Sequence, residues 1–256
     1  LETEAEYISQ RNNTEIELNA TWLHGSPANK LKAKVDVSID QAGTRFDKFK
    51  GYQFDDPLKR YNSNDFTVFE SRLDAEGKAK FPLKLSIPKA SPGMLYAHFT
   101  TKVFEEGGGF SINRKSMKYS PFTSYVGVKV PKGTLYSGTL EINKTHKFSF
   151  GTVTEEGKPM SNSISVKIYK INWRYWWDRY DSDLARYITG TSVEPLVKKQ
   201  IKTSKGKATL DFKPTKWGRY LITVKDLKSG HTTGKVFYAD ERYWSRSNKT
   251  DKEFEI

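Results

Sequence analysis

Cysteine is absent from the 256-residue chain, which excludes disulfides, thiolate metal sites and any cysteine nucleophile or thioester within it. Long apolar runs are absent too, none approaching the roughly 18 residues that a membrane span needs. The opening Leu1-Glu2-Thr3-Glu4-Ala5-Glu6 has neither the basic start nor the apolar stretch of a signal peptide, so the sequence reads as a segment excised from something longer. No stretch sustains a 3.6-residue apolar repeat, which argues against helices. Histidine is scarce. His24, His98, His146 and His231 are isolated from one another and from acidic neighbours at ligand spacing, so each reads as a surface or hydrogen-bonded residue rather than a metal ligand.

Apolar–polar alternation with period two runs through the whole chain, as in Lys34-Val35-Asp36-Val37-Ser38-Ile39-Asp40 and Ser163-Ile164-Ser165-Val166-Lys167-Ile168. Such segments are half-buried antiparallel strands. Others are expected near 16–23, 66–72, 78–87, 94–105, 110–117, 124–130, 146–154, 197–203, 207–212, 219–226 and 232–239. A content of 36% hydrophobic and 14% aromatic residues, spread evenly, is enough to build ordinary cores, and the length suits two domains. The halves also resemble each other. Gly77-Lys78-Ala79 and Gly206-Lys207-Ala208 each enter an alternating strand, and Pro27 and Pro159 precede comparable strands. The fold expected is all-β, two tandem immunoglobulin-like antiparallel sandwiches that join near Pro131-Lys132-Gly133, where proline and glycine break a strand.

Charge is uneven: residues 1–130 carry a net +3 and residues 131–256 a net +10. Lysines dispersed among strands read as solvated edges that discourage sheet-to-sheet pairing. The chemistry-bearing motifs mostly fail on context. Gly107-Gly108-Gly109-Phe110 lacks the Gly-Lys-Ser/Thr ending of a phosphate loop and lies between strands. Gly109-Phe110-Ser111-Ile112-Asn113 misses the second glycine of a nucleophile elbow. Asp178, Asp181 and Asp183 offer carboxylates at a spacing calcium accepts, and Asp55-Asp56 is a weaker cue, but the glycine and distal glutamate of a calcium loop are missing. A carboxylate pair of the glycosidase kind cannot be recognised from sequence in an all-β chain.

One stretch stands apart. Trp173-Arg174-Tyr175-Trp176-Trp177-Asp178-Arg179-Tyr180 puts five aromatics and two arginines into eight residues. On a strand, Trp173, Tyr175 and Trp177 share one face and Arg174 and Trp176 the other, so the segment is expected to form a long hairpin with aromatic area to cover. Packing within its own sandwich or against a neighbouring domain accounts for this best. A carbohydrate platform is the next reading, and a single-strand nucleic-acid surface the weakest. The candidate interaction surface is therefore Trp173, Arg174, Tyr175, Trp176, Trp177 and Arg179.

Thr21-Trp22-Leu23-His24-Gly25-Ser26-Pro27-Ala28-Asn29-Lys30-Leu31, followed by the strand at Val35, resembles the opening of a macroglobulin-like domain of bacterial alpha-2-macroglobulins. Ser120-Pro121-Phe122-Thr123-Ser124-Tyr125-Val126-Gly127-Val128-Lys129 resembles the strand that closes that domain. The aromatic strand at 173–177, Gly218–Asp226 and Ser229–Tyr238 are similar to parts of the domain that follows. The resemblance spans about 16–245 and implies macroglobulin-like sandwiches at 16–131 and 132–245, flanked by linker or neighbouring-domain residues at 1–15 and 246–256. It further implies a non-catalytic scaffold portion of a bacterial endopeptidase inhibitor that entraps proteases by conformational collapse. The implied partners are neighbouring macroglobulin-like domains and, through the full-length protein, target proteases. The implied location is the cell envelope, with membrane attachment only through a lipid anchor elsewhere, and neither a cofactor nor nucleic acid is implied. The chain departs from the family in having no cysteine for a thioester and no recognisable bait segment. The competing reading is a cell-surface glycan-binding module built on the aromatic strand; an enzyme has no positive feature.

Overall fold

The computed structural model describes residues 7–9, 14–85, 91–133, 138–171 and 194–241. Packing divides the chain into two units that do not follow chain order. Leu1–Gly43 and Arg60–Thr123 form the first, and Thr44–Lys59 joins Ser124–Ile256 in the second.

The first unit contains β1 (Tyr7–Ser9), β2 (Glu15–Asn19), β3 (Lys32–Gln41), β4 (Asn64–Arg72), β5 (Lys78–Pro82), β6 (Leu95–Phe104) and β7 (Phe110–Ser120). A five-stranded sheet in the order β1-β7-β6-β3-β4 faces a two-stranded sheet, β2-β5. The alternation in β3 has the expected consequence: Ala33, Val35, Val37 and Ile39 are buried, and the intervening residues carry the outer face, where Lys32 meets Glu70 at 2.7 Å. Ile16, Leu18, Phe81, Leu95, Ala97, Phe99, Met117 and Tyr119 complete that core.

The second unit repeats this plan. It contains β8 (Ser124–Lys129), β9 (Leu140–Glu141), β10 (His146–Thr154), β11 (Ser163–Lys170), β12 (Val197–Lys202), β13 (Lys207–Phe212), β14 (Gly218–Asp226) and β15 (Thr232–Asp240). Its large sheet runs β12-β11-β14-β15-β9, and the small one runs β13-β10-β8. Substituting β9 to β15 for β1 to β7 in order reproduces the first unit's pairing, including the parallel pairs β1–β7 and β9–β15. The chain is thus two tandem immunoglobulin-type sandwiches, and β8 is an addition. Read from sequence as the closing strand of the first domain, β8 instead pairs with β10 over Ser149↔Lys129 to Thr154↔Ser124. Val126, Val128, Phe148, Phe150, Ile164, Val166, Ile168, Ile222 and Phe237 fill the space between the sheets. Tyr220 stacks on Phe237 at 5.3 Å and donates its hydroxyl to the Lys216 carbonyl four residues upstream.

The Gly-Lys-Ala repeat has a physical cause. Gly77 and Gly206 both adopt positive φ, +73° and +75°, at the turn that enters β5 and β13. In both units the glycine carbonyl accepts from a backbone N–H just past β2 or within β10, Ala20 at 3.0 Å and Thr152 at 2.9 Å. Each of those residues in turn accepts from a second loop, Ala28 N–H or Met160 N–H. A Cβ at Gly77 would lie 2.5 Å from the Ala20 carbonyl oxygen, and one at Gly206 would lie 2.8 Å from that of Thr152. Alanine at either position is expected to cost about 2–4 kcal/mol, conformational strain and overpacking adding. Gly230, also at positive φ but with nothing within 4 Å, should lose only about 1 kcal/mol as alanine. Urea denaturation of the three variants separates the two costs; equal losses at all three would remove the close-approach explanation.

Candidate functional site

The aromatic candidates Trp173, Arg174, Tyr175, Trp176, Trp177 and Arg179, and the carboxylates Asp178, Asp181 and Asp183, lie outside the described residues. Asp55-Asp56 lies inside them, in the sixteen-residue strap Thr44–Lys59 that leaves the first unit after β3 and seats in the second. Both carboxylates serve the strap's own conformation and anchoring. Asp55 accepts from the Thr44 N–H at 3.1 Å, and Asp56 accepts from the Leu58 N–H at 3.0 Å and from the Thr232 hydroxyl, with Lys59 Nζ at 3.7 Å. Burial pushes the Asp55 carboxyl above its usual range, against the pull of the Thr44 bonds and of nearby Arg45.

The strap has no period-two pattern and forms one turn of 3-10 helix at Asp47–Phe49. Its seat is a strip of bare backbone. Gly127 of β8 and Gly151 of β10 are direct cross-strand partners on the face turned away from the core. Phe54 presses on the first and Phe49 on the second, so closely that a Cβ would meet their rings at 2.7 and 2.5 Å. Phe46 covers Gly157 in the same way at 2.8 Å, and Pro57 lies against Gly234 at 3.4 Å. Glycines inside strands commonly mark such close approach. Both faces of β8 are consequently covered, and Ser124 to Val128 are all buried. Gln53 pairs with the edge of β8 through two backbone bonds with Val128, 2.8 and 2.9 Å long. Leu58 packs against Ile171, Leu221 and Val236, which alternate with core residues and so face outward from the large sheet.

Beneath the strap sits a buried polar node. His231, fully buried, accepts from the Val126 N–H at Nδ1 (3.1 Å), which places the proton of the neutral ring on Nε2. The Thr233 hydroxyl reaches the Gln53 and Asp55 carbonyls at 3.0 and 3.1 Å. Burial, with Lys59 nearby, depresses the imidazole pKa from 6.5 to about 3, the Phe54 backbone opposing. Ser124 and Asp226 stand close by, so three residue types of a hydrolytic triad converge, but the wiring differs from one. Ser124 Oγ donates straight to Asp226 Oδ2 at 2.7 Å, Asn162 Nδ2 donates to the same oxygen at 2.8 Å, and the accepting nitrogen of His231, Nδ1, is taken by the Val126 N–H. A triad needs serine on the imidazole and the imidazole on the carboxylate. Ser124 is also only 1% exposed, so substrate has no route to it. The set is a clamp on the turn between β14 and β15.

A cavity of about 820 Å³ opens at the far end of the same unit, lined by Lys170, Ile171, Lys216, Trp217, Arg219, Tyr238 and Glu241 among others. Trp217 and Tyr238 are half exposed. Burial and the neighbouring Lys216 lower the Lys170 pKa. Sequence reasoning passed over both the strap and the cavity. The available signal for the strap was glycine at in-strand positions 127 and 151; nothing local marked the cavity, which gathers residues from separate strand ends.

Two sandwiches of one topology in tandem, each with seven matching strands among the described residues and the second carrying a further strand and a strap, define a pair of macroglobulin-type modules. The family profile described as the bacterial alpha-2-macroglobulin MG5 domain matches residues 1–120, and that described as bacterial macroglobulin domain 6 matches residues 127–240. The chain belongs to the bacterial alpha-2-macroglobulin family. Among solved structures it is similar to trypsin-activated alpha-2-macroglobulin from Escherichia coli (15% identity, TM-score 0.61), covering 94% of this chain and 16% of that one. The native conformation of the Escherichia coli protein gives 17% identity and a TM-score of 0.53, covering 93% and 16%. Methylamine-reacted Salmonella alpha-2-macroglobulin gives 16% and 0.51, again covering 93% and 16%. The chain therefore spans about a sixth of the length of these relatives. A search of curated proteins finds no match to the chain.

Proposed function

We propose that this chain is a non-catalytic scaffold pair within a bacterial alpha-2-macroglobulin-like endopeptidase inhibitor, working in the cell envelope beside neighbouring macroglobulin-like domains. The observation that carries the reading is the repeated strand order of the two units, matched in sequence order by the MG5 and MG6 profiles. In this reading the job of each sandwich is to present loops and edges to its neighbours, while entrapment belongs to the parent protein. The chain alone should neither inhibit nor cleave proteases. Incubation with trypsin-like and elastase-like enzymes, following hydrolysis of a large protein substrate, checks this. Stoichiometric inhibition by the chain alone would overturn the scaffold reading. The cavity beside Trp217 and Tyr238 favours one other reading, a glycan-binding module, because half-exposed aromatics beside cations suit sugar stacking. Retardation of the chain in gels containing soluble polysaccharide, lost in Trp217→Ala, would favour it.

A further inference from the structure

The cavity at the far end of the second unit is built from strand ends and one loop, and its charge is lopsided. Lys170 closes β11, Arg219 is the second residue of β14, and Lys216 stands in the loop between β13 and β14, so three cations line one hollow. Asp240 and Glu241 line it too, but none of the three cations makes an ion pair with a carboxylate among the described residues, and Asp240 already accepts from the Glu241 N–H at 2.8 Å. Arg219 makes no hydrogen bond through its guanidinium among the described residues, and its Nε–H is buried in that condition. A buried charged donor without an acceptor is costly, and native proteins keep few of them. Lys170 and Lys216 work against each other as well: burial, and then the charge of Lys216, lower the Lys170 pKa. An anion in the hollow relieves both costs.

The rest of the lining is aromatic and apolar. Trp217 and Tyr238 are 52% and 46% exposed, and Tyr238 lies directly opposite Arg219 across the β14–β15 pair. Ile142 and Ile171 add apolar wall, and the volume of about 820 Å³ falls within the range of about 300–1,000 Å³ typical of small-molecule sites. β14 is paired on both sides, with β11 and with β15, so Arg219 lies on no free edge of the kind an extended peptide uses. Flat rings beside uncommitted cations suit a compact ring carrying a carboxylate, which a guanidinium can hold through two parallel bonds.

We propose that the cavity bounded by Lys170, Lys216, Trp217, Arg219 and Tyr238 binds an acidic saccharide, with a sugar ring against Trp217 and Tyr238 and its carboxylate held by Arg219 and the two lysines. This rests on the glycan reading of the same cavity and names its ligand class; the scaffold reading is untouched, because a scaffold module can carry a surface site.

The test titrates the 256-residue chain in a calorimeter with a trigalacturonate and with its fully methyl-esterified form, which keeps the rings and removes the charge. The acid should bind about tenfold or more tightly than the ester, as expected when a charge-assisted hydrogen bond is lost. That preference should shrink when salt at about 0.15 M cuts the screening length to about 8 Å. Lys216→Gln and Trp217→Ala sit at exposed loop positions, so both should keep the urea midpoint of the unmodified chain. Lys216→Gln and Arg219→Gln should each weaken the acid about tenfold and leave the ester unchanged, whereas Trp217→Ala should weaken both. Acid and ester bound equally well, both weakened by Trp217→Ala, would overturn the proposal and leave the glycan reading standing. Neither ligand bound by the unmodified chain at millimolar concentration, together with no retardation by soluble polysaccharide, would remove both. A tetraglutamate peptide bound as tightly as the acid sugar would also overturn the proposal, since the cavity would then answer to charge alone.

Discussion

A chain beginning at Ser124 is expected to remain unfolded although it contains every strand of the second sandwich. What it lacks is the strap. Phe49 and Phe54 are 3% and 1% exposed, and removing each ring from such a site costs about 3–5 kcal/mol. Together they amount to about 6–10 kcal/mol, comparable with the total of about 5–15 kcal/mol that a domain has. Deleting the strap also leaves β8 as an open edge and strips the Val126, Val128 and His231 environment of its cover. Fusing residues 44–59 ahead of Ser124 through a flexible linker should restore a cooperative urea transition, followed by far-UV circular dichroism. In the full chain, Phe54→Ala should lose about 3–5 kcal/mol from the second unit's transition. If residues 124–256 unfold cooperatively at the same urea midpoint as the full chain's second unit, the strap is not part of that fold.

The contrast between strands and strap explains what could be read in advance. β3, through Asp40, and β13 follow their alternation, because a sandwich strand buries one face and so writes its period into the sequence, whereas β10 departs from it over Phe150 to Val153, all buried. The two shortest strands, β1 and β9, hold three and two residues, too few for any period to register. The strap left a different trace. Phe46, Phe49, Tyr52 and Phe54 follow no single period because each ring answers to its own slot on β8, on β10 or in the turn after it. Half of that code is therefore written about seventy to a hundred and ten residues away, in glycines whose meaning is visible only when a ring is found above them. The polar node was equally illegible: Ser124, Asn162 and the Asp226–His231 turn come from three separate places in the chain and meet only through the fold. The charge excess of the second half was legible, and many of its lysines do lie on outward positions of β12 and β13.

Acidification is expected to weaken the second unit through His231. In the native protein its imidazole stays neutral to about pH 3, whereas in the unfolded chain it protonates near 6.5. Between those two values the unfolded state holds a proton that the native state refuses, so stability falls as pH falls and rises as pH rises. The loss should approach about 1.4 kcal/mol per pH unit across that window and cease to matter above it. The physical cause is the site. Nδ1 already accepts the Val126 N–H, so a second proton must break that bond, in a position where Lys59 of the strap adds positive charge; the carboxylates in the neighbourhood, Asp56 and Asp226, are taken up with Thr232 and Lys59 or with Ser124 and Asn162. Other acids titrate in the same range, so the measurement is a difference. Urea stability of the second unit is followed from pH 7 to pH 4 in the native chain and in His231→Gln, whose amide oxygen can accept from Val126 without titrating. The variant should be less stable at pH 7, through imperfect fit, and the gap should close as pH falls, reversing sign if the packing loss is below about 3 kcal/mol. Two curves that stay parallel from pH 7 to pH 4 would show that the imidazole is not the group whose protonation opens this unit.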